Sequence, residues 1–509
     1  MIIYCQKTPL VFEPLSQLFQ KLNYQPESHT DKRIMRLLHP FDIVKSTAIL
    51  DSHLTDRQEK EGQLRFTGAK YLDVLLLHFA REINKRYDTD IEFVFTPGYE
   101  PHPQLMLFIK FYSYFRKNGC RLTWAESLSK EDNYSSFYDL NSIKNEAGQN
   151  IDKVLELSKK CIRVKDYYSA LNLLKMIEAS GKSKTQNREF LIQISMCSRV
   201  LDRNFESFFY NEELSKVGDD KAFSLAKYSL AMLDLRKLPR PYRDFERAKR
   251  NLDEAFNVLS KANYLKSDVD LIFNRNGYAL ALFQEGKVEE AANIVSEGID
   301  KLNKIEGEYA FFHKSVLLYN LFQCHKRLGN FEEAELTANE LLKIDYQYHN
   351  YHVKLIEYYN SLNKTDRAKR ACLSAIQMDD TFFGFHHLLG VVLQMRKEYD
   401  QAIHAYRTAL SLNPFHFESL KCLCILLKEG NKYMELVTLI EDSNRIDLDE
   451  YQGSVLFNFY IVALLNLDSV NPQLVEKIQS EISNGNGKNG FSKKILEISQ
   501  YARADRKEN

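Results

Sequence analysis

Small residues return at a fixed interval of 34 in the second half of this chain. Ala334, Ala368 and Ala402 follow that interval, and so do Ala375 and Ala409. A period of this length with small side chains at fixed phases signifies a helix-turn-helix unit that buries its apolar face against copies of itself. Gly390 falls where two helices must approach closely, and Pro414 where the second helix must stop, because proline lacks a donor and clashes with the preceding turn. The pattern predicts a stack of helical pairs rather than a single globular core. Such stacks mainly present surfaces to other macromolecules.

Composition agrees with a folded, mostly helical protein. The 509 residues are 44% hydrophobic and 27% charged, with 11 prolines and 19 glycines, which argues against wholesale disorder. The formal net charge is zero, so no global field draws the chain to nucleic acid or to an anionic membrane. Eight cysteines lie at positions 5, 120, 161, 197, 324, 372, 422 and 424 without any CxxC pair. That usage predicts free thiols in a reducing, cytoplasmic compartment. The opening MIIYCQKTPLVFEPL lacks a basic region before a long apolar core, so no secretory signal is expected. No apolar run approaches the ~20 residues of a membrane span.

Three zones follow one another. Residues 1–125 read as a small α/β domain in which short apolar runs (MIIYC, DIEFVF, RLTW) alternate with amphipathic stretches (VFEPLSQLFQKL, YLDVLLLHFAREINKRY, QLMLFIKFYSYFRKNG). This order suggests a small sheet with a parallel component. Residues 126–150 are polar and read as a linker. From Ile151 to about 450 the chain reads as about eight helical pairs, best defined over 272–416, with roughly nine extra residues near NKIEGEYAF. Residues 451–509 read as capping helices and a tail, split by SNGNGKNG.

The segment HHLLGVVLQMRKEYDQAIHAYRTALSLNP, 386–414, resembles a tetratricopeptide repeat. Leu389 and Gly390 match the family's Leu-Gly pair. Tyr399, Ala402, Tyr406, Ala409 and Pro414 match its second helix. Working outward, repeat 349–382 keeps Leu355, Tyr359, Ala368 and Ala375 but carries Asp380 in place of the proline, and repeat 315–348 keeps Leu321, Gly329, Phe331 and Ala334. The resemblance implies a mainly α fold, an α-solenoid preceded by the α/β domain. It also implies that Tyr406 and Ala409 pack against the following repeat. Arrays of this family share packing and not a ligand.

In this family the first helix of each repeat lines a concave groove. The resemblance places Asn276 and Phe283 there, with Tyr319, Gln323 and Lys326, then Glu357 and Asn360, then His387 and Gln394, and finally Lys421. Amides and aromatics in that mixture suit an extended protein or peptide segment; a solvated face that binds nothing is the alternative. The two-carboxylate clamp of chaperone-binding repeats needs a Lys and an Asn at two fixed phases of one repeat, and no repeat carries both.

Three further clusters carry alternatives. Arg275, inside the polar NRNG run, would lie in the packing face and so demand a carboxylate partner; it serves either as an anion anchor or as half of a structural ion pair. The run RKLPRPYRDFERAKR, 236–250, holds seven basic residues against two acids. Arg240 and Arg243 could there meet phosphate or an acidic partner, or the run is a solvated loop. His349, His352, His386 and His387 fall in adjacent repeats, at positions better explained by packing than by a metal.

Within 1–125 there is no phosphate-binding glycine loop and no nucleophile signature. Asp51, His53 and His78 are polar residues that could converge, which leaves a degenerate nucleotide-binding or catalytic module as an alternative role for this domain. The reading favoured by the whole sequence is a non-enzymatic scaffold or adaptor without a cofactor, taking a protein or peptide in the groove. A nucleic-acid-associated regulator acting through 236–250 is the second alternative.

Overall fold

The computed structural model describes residues 1–5, 10–27, 29–38, 70–96, 99–116, 119–125, 150–181, 187–217, 219–262, 267–443 and 449–467. Asp51, His53, most of the expected linker and the segment after 467 lie outside them. The chain divides into two compact units, Met1–Gln347 and Tyr348–Asn509.

Among the described residues the first unit opens with three parallel strands in the order β1 (Ile2–Cys5), β2 (Ile91–Phe95), β3 (Cys120–Trp124), with Ile3 opposite Phe93 and Phe93 opposite Leu122. Parallel neighbours need helical crossovers. Helices α1 (Glu13–Lys21), α2 (His29–Leu38) and α3 (Lys70–Arg86) lie between the first two strands, and α4 (Pro103–Phe115) between the last two. Alternation along β2 buries Ile91, Phe93 and Phe95 on one face. The Phe93 ring meets Phe108 of α4, which in turn meets Phe79 of α3.

This sheet domain is fastened to the helices that follow it. The Val11 amide donates to the Ser169 hydroxyl at 2.8 Å, Gln104 donates to the Tyr168 hydroxyl, and Leu10 joins the core of the first helical pairs.

Among the described residues, five helical pairs complete the first unit. They are α5 (Ile151–Arg163) with α6 (Tyr167–Ala179), α7 (Arg188–Val200) with α8 (Asn204–Leu214), and α9 (Asp220–Met232) with α10 (Phe245–Leu259). Then come α11 (Ser267–Gln284) with α12 (Val288–Leu302) and α13 (Glu308–Leu328) with α14 (Phe331–Ile344). The second unit holds α15 (His349–Ser361) with α16 (Thr365–Met378), α17 (Phe383–Met395) with α18 (Tyr399–Leu412), α19 (Phe417–Glu429) with α20 (Tyr433–Ser443), and then α21 (Glu450–Asn466). The extra residues near NKIEGEYAF are shared between a turn, 303–307, and the start of the next helix: Glu308 onward extends α13 to 21 residues, starting just after Gly307.

The turn inside a pair has a recurring physical form. Lys165, Asp202, Gly286, Gly329, Asn363, Lys397 and Asn431 all adopt positive φ. The residue after each donates its amide back to a carbonyl of the first helix, as Lys364 does to Tyr359 at 2.9 Å and Glu398 to Leu393 at 2.9 Å. These are the bonds that satisfy orphan carbonyls at a left-handed helix end. The last four of the seven positions lie 34 apart, the interval already visible in the alanines.

Close approach inside a pair follows the small residues. A Cβ built on Gly390 would stand 2.6 Å from the Tyr406 ring, and Ala402 and Ala409 are fully buried. Tyr406 thus lies across its own pair, donating to Gln394 at 3.0 Å, and it also reaches Cys422 of the following pair. Where no proline follows, the second helix still stops in register: α14 and α16 end at Ile344 and Met378, two intervals and one interval before α18, followed by Pro414, ends at Leu412.

Candidate functional site

The expected groove residues fall on both units. In the first, α11 and α13 are held side by side by a bond from Asn320 Nδ2 to Asn276 Oδ1 at 2.8 Å. Asn276 is only 5% exposed, so it registers the two helices internally and does not line a surface. Phe283, two turns further along α11, is half-buried, as are Tyr319 and Gln323 of α13, while Lys326 is exposed.

In the second unit all five expected residues are half-buried, and most are engaged with neighbours. Glu357 pairs with Lys354 at 2.7 Å, Lys421 pairs with Glu418 at 2.7 Å, and Gln394 accepts from Tyr406. The Asn360 Oδ1 atom is buried and finds no donor. His387 bonds the buried Ser419 hydroxyl through Nδ1 at 3.0 Å, and its ring stands edge-on to His416 at 4.8 Å. Burial pushes the His387 imidazole below its ordinary range.

Arg275 departs from expectation in an instructive way. The packing positions of α11 are taken by Asn274, Asn276 and Gly277, all buried, and the Arg275 side chain remains 32% exposed. A helix turns about 100° per residue, so the neighbours of a packing position face elsewhere. The guanidinium lies 4.3 Å from the Tyr278 ring centre and 5.1 Å from that of Phe256, while Asp253, its nearest acid among the described residues, stands off at 3.8 Å. Cation–π attraction therefore orients this cation more than a carboxylate does.

Arg275 lines a cleft of about 460 Å³ formed by α10, α11, α12 and the residues just after α12. Leu271, Ile272, Ile294 and Ile305 supply apolar walls, and Lys301 and Lys304 add cations at the rim beside Asp268 and Glu297. Gly298 forms part of the lining, and a Cβ there would come within 2.7 Å of Leu317. Apolar walls with a few convergent polar groups are the usual composition of a ligand pocket. Sequence reasoning singled out Arg275 but missed the cleft, because its walls come from three helices with no shared motif.

The basic run 236–250 is largely turned inward. Arg243 donates to the carbonyls of Leu238 and Arg236 at 2.7 and 3.0 Å, so it closes a loop and is not free for an anion. Arg247 grips the fully buried Asp234 through two bonds at 2.8 and 2.6 Å. Lys237 pairs with Asp202, and Lys249 with Glu246 and Glu285. Arg240 remains exposed.

The other candidates are absorbed by packing. His352 is buried with its ring edge-on to Phe385 at 5.9 Å. His386 bonds the Asp380 carbonyl at 2.8 Å. His349 and Asp379 pair at 2.6 Å; burial raises the Asp379 carboxyl, but the bonds from His349 and Thr381 outweigh it and hold the group down at about 2. In the sheet domain His78 bonds Asp31 through Nε2 at 3.0 Å and Arg81 through Nδ1 at 3.1 Å. Asp31 is itself fully buried and also accepts from Tyr24 and Arg86. Both ring nitrogens of His78 are thus committed inside the fold.

Comparison with known proteins bears on the helical pairs. A family model for the tetratricopeptide repeat matches residues 383–416, which are α17, α18 and the turn after them. Comparison with curated proteins gives no match. Among solved structures, the chain is similar to a tetratricopeptide repeat protein from Parabacteroides merdae ATCC 43184, at 15% identity over 55% of this chain and 99% of that one, with a TM-score of 0.37. It is also similar to YrrB, described as a TPR protein with an unusual peptide-binding site, at 13% identity over 41% and 95% with a TM-score of 0.28. A third similarity is to MamA, at 13% identity over 37% and 94% with a TM-score of 0.26. No described helix is long and apolar enough to cross a membrane.

Proposed function

The chain carries a tetratricopeptide repeat within its array of helical pairs, and from that premise we propose that it is a non-enzymatic scaffold that holds segments of a protein partner. The first-helix faces of the two units would receive extended segments: Phe283, Tyr319, Gln323 and Lys326 in one, Glu357, Asn360, His387 and Lys421 in the other. The cleft beside Arg275 would anchor an acidic residue followed by a large apolar side chain. One observation carries this reading: a guanidinium oriented by two rings at an apolar cleft, with no carboxylate among the described residues nearer than 3.8 Å. An anionic ligand group completes such a site without displacing a strong internal bond.

All eight cysteines are free, and six are buried, which supports a reducing compartment such as the cytoplasm. The nucleic-acid alternative loses support from the inward use of 236–250, and the catalytic alternative from the commitment of His78 to Asp31 and Arg81.

The test is a peptide-display selection on the intact protein followed by titration of the recovered peptides. Arg275→Ala is expected to weaken peptides with an acidic-apolar pair by about tenfold without lowering the melting temperature, and Arg275→Lys to restore part of the loss. Affinities unchanged in Arg275→Ala would exclude the cleft as an anchor.

A further inference from the structure

A second surface of the first unit is built and left uncovered. On α8, Phe205 and Phe209 sit one helical turn apart and are 57% and 55% exposed. Tyr242, on the short 3₁₀ turn Arg240–Tyr242, is 60% exposed and meets Phe205 edge-on at 5.2 Å. Phe245, at the start of α10, is exposed as well. Isolated exposed aromatics need no explanation, but a contiguous set does.

This ridge is not a slack loop. A π-helical turn, Leu233–Lys237, carries the chain out of α9; such turns recur at functional places. Asp234 in that turn is fully buried and takes both bonds from Arg247, whose guanidinium also lies 5.0 Å from the Phe208 ring of α8. Arg243 closes the loop onto two carbonyls, and Asn204 of α8 donates to the Lys237 carbonyl at 3.1 Å. Rings held this firmly lose little freedom when a partner covers them.

Charge completes the description. With Lys237, Arg243, Arg247 and Lys249 engaged internally, Arg236 and Arg240 are exposed and have no side-chain partner among the described residues. We propose that Phe205, Phe209 and Tyr242, with Arg236 and Arg240, form a docking surface for an acidic segment of another protein that carries large apolar side chains. The rings accept the apolar side chains and the arginines the carboxylates, a combination common in interface hot spots. A nucleic-acid strand fits less well. A phosphate backbone calls for a row of cations, whereas four of the seven in 236–250 are engaged internally, and Asp202 and Glu206 lie alongside.

The experiment pans a phage-displayed dodecapeptide library on the full chain and counter-screens the recovered peptides on Phe205→Ala/Phe209→Ala. Expected are peptides with Asp or Glu next to a large apolar residue. Their affinity should fall about tenfold or more in the double variant and about threefold in Arg240→Glu, weaken with salt, and be unchanged in Arg275→Ala. Both phenylalanines are exposed, so the double variant should keep the wild-type melting temperature. Recovery of no peptide sensitive to the double variant would overturn the proposal. So would labelled oligo(dT) binding through the same residues, or a self-association of the wild type that the double variant abolishes.

Discussion

The middle of the helical array and its flanks begin their helices differently. From α12 to α18 the residues preceding each first turn, Lys287, Asn330, Tyr348, Lys364, Phe382 and Glu398, make no side-chain cap where one is resolved. Toward the N-terminal flank Asn150, Asp166, Asn187, Asp219 and Asp244 each accept from a backbone amide three residues on, with Arg203 before α8 the exception. Toward the C-terminal flank His416 and Asp449 do the same. The interval of 34 runs through most of the middle, from Asn330 to Glu398, and reaches the capped His416, while Lys287 lies outside it. In the middle the left-handed turn and the alanines fix where a second helix starts, and a capping side chain adds little. Toward the flanks capping side chains satisfy orphan donors and specify the start locally as well.

The largest expected break in this comparison is acidification. Burial, and then the neighbouring His387, hold the His416 imidazole down at about 4, below the ordinary value near 6.5. Between those values the unfolded chain binds a proton that the folded chain excludes, so stability falls as pH falls through that window. A protonated His416 could no longer accept the Ser419 amide that it caps at 3.3 Å. The loss is at most about 3 kcal/mol. Urea unfolding of wild type and His416→Gln between pH 7 and 4 checks it; the wild type should show the steeper decline.

Next in size is a break in the middle. Gly390→Ala sets a methyl group against the Tyr406 ring and should cost about 1–3 kcal/mol. Chemical denaturation measures this, and an unchanged midpoint would mean that α17 and α18 need no close approach there. The capping contrast itself comes third. Asn187→Ala is expected to cost about 1 kcal/mol and Lys287→Ala close to nothing, so equal losses in the two variants would erase the distinction. The smallest effect has the opposite sign. Lys397 holds φ of 63°, which glycine adopts at lower cost, so Lys397→Gly should stabilise by roughly 0.5–1 kcal/mol. A scanning calorimeter resolves this as a raised melting temperature.

Much of the fold could be read from the residues and much of the site could not. The alternation in DIEFVF marked β2, and Ala368, Ala402 and Gly390 marked the packed pairs, because each is a local pattern with one packing consequence. Arg275 was legible as unusual, but its surroundings were misread. A one-residue displacement on a helix decides between the core and a cleft, and only Asn274 and Gly277 in place show which side faces inward. Arg243 read as a free cation because sequence does not show two carbonyls turning toward it. Asn276 read as groove-lining because its bond to Asn320 spans 44 positions. Nothing in composition marks Phe205, Phe209 and Tyr242 as exposed, since the other described phenylalanines range from fully buried to exposed.

By itself the sequence determined periodicity, helix type and the places where helices draw close. Those depend on side-chain size and backbone preference at neighbouring positions, and they survive any change of partner. Tertiary structure alone decided which polar groups are engaged and which remain free. A hydrogen bond or a ring contact depends on two residues meeting across helices, and that meeting is settled only when the helices are packed.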